Sequence, residues 1–421
     1  MNRHKKRLSK LWQSVKEQLI HCSHKQKGQG GVTLALLVVL FGSSFAHPMT
    51  STQTTAELTI QDADTETENQ SWEEADADVV FWYTDENLSS FFEDCAKAYY
   101  EECGTSVQPV CRDSVTFLED IYTANMEDEA KPDLLLTESG SLEKAVLFGI
   151  ARRNTAEETY FETFPEIAKT AATYQEQLYG YPLSFDTTVF VYDTESISQK
   201  PESIQEIIDL AEESDLGNGI ANLVEWNIND GFYDLAFVGG SVSFSLKEQG
   251  TSEMMYEESN FQKGLEYLQN LSQIISITPE EIDDDIVVGD FNEGATASAV
   301  IDARSMGEIT KETAAFSTLP AINEEIKMQS FSETMLLLVN DYGDNADDAS
   351  DFAVYVTKNC KEQLLEDSGY LPADASDVLD ANQAIAYESY VNSRNLPMTM
   401  DEGEQLDAIV KQVKSIWTSA L

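Results

Sequence analysis

Apolar and polar positions repeat with two different periods along the first part of the folded chain. Three short apolar runs are typical of strands buried in a sheet: residues 78–83, 106–111 and 132–136. Apolar residues then recur at helical spacing: Leu88, Phe91, Phe92, Cys95 and Tyr99 before Gly104, then Val115, Leu118, Ile121 and Tyr122, then residues 141–150. The alternation of strands and helices predicts an α/β fold with a mostly parallel sheet.

The pattern after residue 150 predicts a second α/β region. After a helical stretch over residues 166–177, residues 179–192 look like two strands in tandem with a bend near residues 184–186. Strands are expected at 294–301 and 332–339, and helices at 203–213, 261–275, 347–360, 377–393 and 404–417. No internal repeat is visible.

The N-terminus predicts export. Residues 1–31 are basic, and the fifteen residues 32–46 are apolar, which suits the core of a signal peptide and is short for a membrane-spanning helix. Ser44 and Ala46 would suit cleavage after Ala46, whereas the long basic segment suits an uncleaved signal anchor; both remain open. The basic flank would stay inside the cell, and the acidic body would face outwards. Because Cys22 precedes the apolar run and no cysteine ends it, a lipid-anchored form is not expected.

Charge excludes nucleic acid as a partner. The chain has 421 residues, a length that suits two or three domains, and 42% of them are hydrophobic, which allows substantial cores. Its net charge is −50. Residues 1–31 hold eight of the 26 Lys and Arg and one of the 76 acids, which leaves −57 on the rest. A surface of that charge repels phosphate backbones. Residues 47–77 are acidic, with few large apolar groups, and are expected to be a flexible linker.

Histidine usage excludes several kinds of catalysis. All four histidines lie in the first 47 residues, so no Ser-His-Asp or Cys-His system can form in the body of the chain. Zinc sites with histidine ligands are excluded for the same reason. Carboxylate chemistry, a cofactor site without histidine, or no chemistry at all remains. Of these we expect a site with no metal and no cofactor.

Four cysteines follow the apolar segment: Cys95, Cys103, Cys111 and Cys360. An even number in an exported protein permits disulfides, with three possible connectivities. Cys95 and Cys103 fall in one predicted helix, about 12 Å apart, and cannot pair there. All four could equally be buried as small apolar residues.

Four stretches carry a resemblance to a known family. They are Val-Val-Phe-Trp-Tyr-Thr-Asp-Glu (79–86) with residues 96–107; Pro-Asp-Leu-Leu-Leu (132–136) with 148–151; residues 181–193; and residues 290–297 with 318–320, 332–340 and 346–353. In this order and spacing they resemble the extracellular solute-binding proteins of ABC importers, and in particular the sugar-binding branch that includes maltose-binding protein. The resemblance covers residues 78–421.

The resemblance implies a two-lobe fold of the periplasmic-binding-protein kind. Each lobe would be a mostly parallel sheet flanked by helices, with the ligand cleft between the lobes. Lobe one would comprise residues 78–183 plus 337–375, and lobe two residues 184–336 plus 376–421. Residues 181–193 look like the family's first crossing between lobes. The protein would be a monomer whose partners are a small solute, expected to be a carbohydrate, and a membrane permease.

Seven residues are candidate ligand contacts. Trp82, Thr84 and Asp85 stand at the end of the first strand, where similar proteins line the cleft, although Trp82 would suit the core equally well. Glu138 follows the third strand in the same position, or belongs to a plain turn. Asp186 follows the presumed hinge, where the maltose binder presents an acid. Trp226 resembles a cleft aromatic of lobe two, or packs in the core. Arg304 would bind sugar hydroxyls or an acidic group, or pair with Asp302.

The expected function is capture of a sugar or oligosaccharide outside the cell by hinge closure, followed by delivery to an ABC transporter permease, without catalysis. One alternative is a carboxylate-based glycosidase, which needs two acids about 5–10 Å apart. Another is a ligand-sensing ectodomain for a membrane partner, which an uncleaved anchor would favour.

Overall fold

The computed structural model describes the chain from residue 77 onwards, with gaps: residues 77–127, 130–156, 158–213, 220–238, 240, 242–246, 252–256, 258–275, 277–375, 377–396 and 399–420. All of them fall within one compact unit, Glu73–Leu421. The predicted basic segment, the apolar segment and the acidic linker up to residue 76 lie outside the described residues. In the part of the chain that is described, no helix is long and apolar enough to cross a membrane.

The strands are β1 (Val79–Tyr83), β2 (Val107–Cys111), β3 (Leu134–Glu138), β4 (Thr173–Tyr174), β5 (Gln177–Leu178), β6 (Tyr181–Asp193), β7 (Val242–Leu246), β8 (Ser252–Tyr256), β9 (Ser298–Asp302), β10 (Ala314–Ser317), β11 (Phe331–Val339), β12 (Leu371–Pro372) and β13 (Arg394–Asn395). The helices are α1 (Ser89–Cys103), α2 (Phe117–Glu127), α3 (Leu142–Leu147), α4 (Glu166–Ala171), α5 (Ile204–Glu213), α6 (Gly231–Val238), α7 (Glu258–Leu271), α8 (Asp284–Glu293), α9 (Ala346–Asn359), α10 (Lys361–Ser368), α11 (Ala381–Val391) and α12 (Met400–Ala420). Short 3₁₀ helices include Glu86–Leu88 and Arg304–Glu308.

One curled sheet organises the fold. Its strands follow the order β10, β6, β11, β3, β1, β2, and β9 and β12 also pair with β6. β1 runs parallel to both β2 and β3, as the strand–helix alternation predicts. β11 runs antiparallel to β3 and to β6, so the sheet is mixed beyond its first three strands.

The central strands are apolar on both faces because both faces are covered. Alternate residues of a strand point to opposite sides. Phe81 and Leu134 belong to a large core that includes residues of α1 and α9, whereas Trp82 and Leu135 belong to a smaller core with residues of α2 and α3. This two-sided burial explains why these strands appear in the sequence as continuous apolar runs.

β6 connects the two halves of the sheet. Its first half, up to Thr187, pairs with β11, and from Thr188 onwards it pairs with β9, with β10 joining near its end. All thirteen of its residues are buried. The sequence pattern predicts a bend near residues 184–186, but the structure has one unbroken strand that changes partners. Its pairing with β9 begins where its pairing with β11 ends, so the backbone stays paired along the strand.

Two further expectations differ from the structure. Val115 is expected on a helix face, but α2 begins at Phe117 and Val115 is fully exposed. The helix expected over residues 166–177 ends at Ala171, and residues 173–178 form a short hairpin. Gln175 and Glu176 adopt positive φ angles, the left-handed conformation that a tight turn requires and a helix does not allow.

Candidate functional site

Polar side chains collect where two parallel strands end. Thr84 and Asp85 follow β1, and Glu138 is the last residue of β3. Because β1 and β3 run parallel, their carboxyl ends meet at one edge of the sheet. Asp85 caps a 3₁₀ turn by accepting a hydrogen bond from the Asn87 N–H at 3.1 Å. Its other oxygen accepts a hydrogen bond from the Tyr370 hydroxyl at 2.6 Å.

Asp186 and Arg304 form an ion pair beside this edge. Asp186 lies in β6 with 6% of its surface exposed. Its Oδ1 accepts hydrogen bonds from the backbone N–H groups of Thr187 at 2.9 Å and Ala303 at 3.0 Å. Its Oδ2 accepts from Arg304 Nε, and the carboxylate of Asp302 lies 4.0 Å from the same nitrogen. These contacts orient the guanidinium of Arg304, which is 43% exposed.

β11 adds a further acid to the site. Glu333 lies directly opposite Asp186 in the ladder of β11 and β6, and Met335 lies opposite Glu138 in the ladder of β11 and β3. Residues two apart on a strand share a face, so both side chains point to the same side of the sheet. The result is a narrow crevice lined by Glu138, Ser184, Phe185, Asp186, Arg304, Glu333, Met335 and Tyr370.

The acids of the crevice hold their protons more tightly than free carboxylic acids do. Burial raises the pKa of Glu333 to about 8, and the nearby charges of Glu138 and Asp186 add to the rise while Arg304 opposes it. Loss of hydration also raises the pKa of Glu138. The charge of Arg304 opposes this rise, and the charge of Asp85 adds to it. Burial and the charge of Asp302 raise the pKa of Asp186, and Arg304 opposes this. The crevice therefore concentrates carboxyl groups around a single guanidinium.

This set of groups suits a ligand rich in hydroxyls. Carboxyl groups accept hydrogen bonds from hydroxyls, and the guanidinium donates to their oxygens. The guanidinium carbon of Arg304 lies 5.7 Å from the centre of the Tyr370 ring, so an aromatic face stands beside the charged groups. Among the described residues, no three His, Cys, Asp or Glu side chains form a group that could hold a metal ion.

The structure brings four of the seven predicted contacts together. Glu138, Asp186 and Arg304 line the crevice, and Asp85 adjoins it through its hydrogen bond to Tyr370. Thr84 is exposed beside Asp85, at the same sheet edge but outside the lining. The expected pairing of Arg304 with Asp302 is present, but its shorter contact is to Asp186.

The two tryptophans lie elsewhere. Trp82 is 7% exposed in the smaller core, and the guanidinium carbon of Arg112 lies 3.9 Å over its ring. Trp226 has no exposed surface. It packs 4.1 Å from Phe237 and 5.3 Å from Trp417 between ring centres. Both tryptophans therefore pack in the core, which was the alternative to a ligand contact for each of them, because neighbouring side chains cover each ring.

Two lining residues were absent from the predicted set. Glu333 is the one charged residue of β11, and a single charge in a mostly buried strand is the signal that could have identified it. Tyr370 follows Gly369, which ends α10 with φ 73°, and its position beside Asp85 depends on contacts between residues 285 positions apart. No local pattern could have identified Tyr370.

Comparison with solved structures defines the fold. A cyclo/maltodextrin-binding protein complexed with maltotetraose matches with a TM-score of 0.70 and 17% identity, over 83% of this chain and 94% of that chain. The maltose-binding periplasmic protein MalE of Listeria monocytogenes, in complex with maltose, matches with a TM-score of 0.69 and 15% identity, over 82% and 93%. The GacH receptor of Streptomyces glaucescens GLA.O, a structure determined with acarbose, matches with a TM-score of 0.67 and 15% identity, over 82% and 93%. The chain thus has the two-lobe α/β fold of maltose-binding proteins.

Sequence comparison gives the family. The model of the bacterial extracellular solute-binding proteins matches residues 94–389. A galactooligosaccharide-binding protein of Bacillus subtilis (strain 168) is 22% identical over 322 residues, which is 70% of this chain and 73% of that protein. This chain belongs to the bacterial extracellular solute-binding protein family, and it is an exported protein.

Proposed function

We propose that this protein captures a sugar or oligosaccharide outside the cell by hinge closure and delivers it to the permease of an ABC transporter. The observation that carries the proposal is the crevice in which Glu138, Asp186 and Arg304 meet beside Asp85. Carboxyl and guanidinium groups at such a sheet edge can bind several hydroxyls at once, as sugar recognition requires. The names and bound ligands of the similar proteins support a carbohydrate ligand.

Closure would depend on contacts from both lobes. With lobe one at residues 78–183 plus 337–375 and lobe two at 184–336 plus 376–421, Asp85 and Glu138 belong to lobe one, and Asp186 and Arg304 to lobe two. A ligand held by both sets stabilises the closed state only by its additional affinity for that state. β6, which changes partners between Thr187 and Thr188, would carry one crossing between the lobes.

The remaining parts of the proposal concern the cell surface. The basic segment and residues 32–46 would direct export, and the chain would either remain anchored there or be released near Ala46. The protein would act as a monomer that presents its closed form to the permease. The binding role would need no catalysis, in keeping with a family of binding proteins.

Thermal unfolding of the purified protein with a panel of solutes tests the proposal. The panel would contain monosaccharides, maltooligosaccharides, galactooligosaccharides, amino acids and peptides. A ligand at 100 times its dissociation constant adds about 2.7 kcal/mol to the stability of the native state. We expect a clear rise in the unfolding temperature with one class of sugar and none with the amino acids.

Product analysis of the same samples separates the alternatives. Intact sugar after the assay supports binding without catalysis, whereas cleaved sugar would assign the protein to the glycosidases. A shift with amino acids or peptides and none with any sugar would contradict the carbohydrate assignment while leaving the fold and the family unchanged.

A further inference from the structure

The four described cysteines fall into two groups. Cys95 and Cys360 are buried, with 2% and 7% of their surfaces exposed, whereas Cys103 and Cys111 are exposed. The two buried residues belong to the same hydrophobic core. The sequence permits three pairings of the four cysteines, and only the folded chain distinguishes among them.

Packing between helices places the two buried cysteines against each other. α1 packs against α9 and α10. The ring of Tyr99 in α1 lies 5.2 Å from that of Phe352 and 4.9 Å from that of Tyr355, both in α9. Cys95 lies one turn before Tyr99, and Cys360 follows the end of α9, about one turn after Tyr355. The thiol of Cys95 accordingly forms a hydrogen bond with Cys360.

We propose that Cys95 and Cys360 form a disulfide in the exported protein. The two thiols would lose two protons and two electrons to a disulfide-bearing oxidant outside the cell. One thiolate attacks the oxidant's disulfide, which forms a mixed disulfide and releases the oxidant's first thiol. The second thiolate then attacks the protein sulfur of the mixed disulfide and displaces the oxidant's second thiol, so that the oxidant leaves as two thiols and the protein holds an S–S bond. Disulfides persist in that compartment, where the family places this protein.

Burial indicates when the bond would form. Burial raises the pKa of the Cys95 thiol, and its contact with Cys360 raises it further, so the folded chain holds little of the reactive thiolate. Oxidation would therefore take place during folding outside the cell, before α1 and α9 cover the thiols. The exposed Cys103 and Cys111 lie at the ends of α1 and β2 and would remain thiols.

The bond would join parts of the chain that are far apart in sequence. Residues 95 and 360 are 265 positions apart, and both long strands, β6 and β11, lie between them in the chain. A cross-link over so long a loop restricts the unfolded chain strongly and stabilises the folded form. It would connect α1 to the junction of α9 and α10 and leave the crevice residues unchanged.

Peptide mapping is the direct test. The purified full chain would be unfolded, refolded in a mixture of reduced and oxidised glutathione, treated with N-ethylmaleimide in denaturant and digested. We expect one cross-linked pair of peptides, containing Cys95 and Cys360 and two hydrogen masses lighter than its reduced form, with Cys103 and Cys111 recovered as the maleimide adducts. Recovery of Cys95 and Cys360 as adducts, or of a different pair as the main product, would overturn the proposal.

Variants provide a second readout that does not depend on mapping. A reducing agent should lower the unfolding temperature of the wild-type protein by roughly 5 °C or more. It should have the same effect on the Cys103→Ser/Cys111→Ser double variant, the matched control, and none on Cys95→Ala or Cys360→Ala. If either alanine variant fails to fold, the double variant still decides, because it retains the proposed pair without the exposed thiols. An equal unfolding temperature with and without reductant in the double variant would contradict the disulfide.

Discussion

Asp186 and Asp193 lie in the same strand, each with 6% of its surface exposed, yet only Asp186 lines the crevice. Each is paired with a cation: Asp186 with Arg304, and Asp193 with Lys311 at 3.2 Å. The two residues thus differ mainly in their surroundings: Asp186 faces the crevice, and Asp193 lies outside its lining. A comparison of variants at both positions can separate binding from folding.

We expect Asp186→Asn to weaken sugar binding by about tenfold to a hundredfold, because Arg304 loses the charge that orients it. Asparagine retains an oxygen for the N–H groups of Thr187 and Ala303, so the fold should survive. Isothermal titration with the sugar found by thermal unfolding measures the loss. In the control, Asp193→Asn should lower stability and leave the dissociation constant unchanged. Equal affinities of the two variants would show that the Asp186–Arg304 pair does not contribute to binding.

Glu333 predicts a dependence of stability on pH. Its pKa in the folded protein is about 8, above the value near 4.3 of a free glutamate. The folded state therefore binds a proton that the unfolded chain releases, and stability from this group falls as the pH rises from about 4.5 to about 8. We expect the Glu333→Gln variant to lose less stability than wild type as the pH rises. From pH 5 to pH 8.5, its free energy of unfolding relative to wild type should increase by about 1–3 kcal/mol.

Urea unfolding at pH 5, 6.5 and 8.5 measures this difference. Glu362, an exposed residue of α10 outside the crevice lining, provides the matched control, and Glu362→Gln should follow the wild-type curve at all three values. If Glu333→Gln and wild type lost stability in parallel, the carboxyl of Glu333 would have an ordinary pKa.

At the level of whole helices, a glycine in α6 tests how closely α6 and α12 pack. Gly231 is the first residue of α6, and a Cβ built on it would lie 2.7 Å from Leu406 Cδ1 and 2.9 Å from Val410 Cγ2, both in α12. We expect Gly231→Ala to destabilise the protein by about 1–3 kcal/mol, since the added methyl group overpacks this contact. Chemical denaturation measures the change.

Gly289 in α8 is the matched control, because a Cβ there meets nothing within 4 Å. Gly289→Ala should stabilise the protein by about 0.5–1 kcal/mol through helix propensity alone. A stabilising Gly231→Ala would mean that α12 shifts readily, and that its contact with α6 is loose.

The contrast between the polar and aromatic candidates shows what residue patterns can reveal. The position of Asp85 and Glu138 at one sheet edge could be predicted, because each stands at the carboxyl end of an apolar strand and the carboxyl ends of parallel strands share an edge. Trp226 could not be placed in the same way. A tryptophan among turn residues suits a cleft or a core, and only the packing of Phe237 and Trp417 on its ring decides for the core.

Elements were predictable where periodicity was strong and unopposed. α1 was expected to stop at Gly104, and it does so with a glycine φ of 78°. The helix expected over residues 166–177 was overridden by the turn at Gln175 and Glu176. The pattern predicts two strands for β6, whereas the structure has one. The change of partner after Thr187 depends on β11, β9 and β10, and the residues of β6 carry no local signal of it.

For the whole molecule, the sequence alone determined the α/β class and excluded chemistry that needs a histidine after residue 47, and it predicts export. These follow from local periodicity, charge and the absence of histidine after residue 47, and none of them requires knowledge of distant contacts. Only the tertiary structure decided that Arg304 pairs with Asp186, that Glu333 and Tyr370 join the crevice, and that Cys95 contacts Cys360. The reason is physical: these contacts join residues 118 to 285 positions apart through strand register and helix packing, which no local pattern encodes.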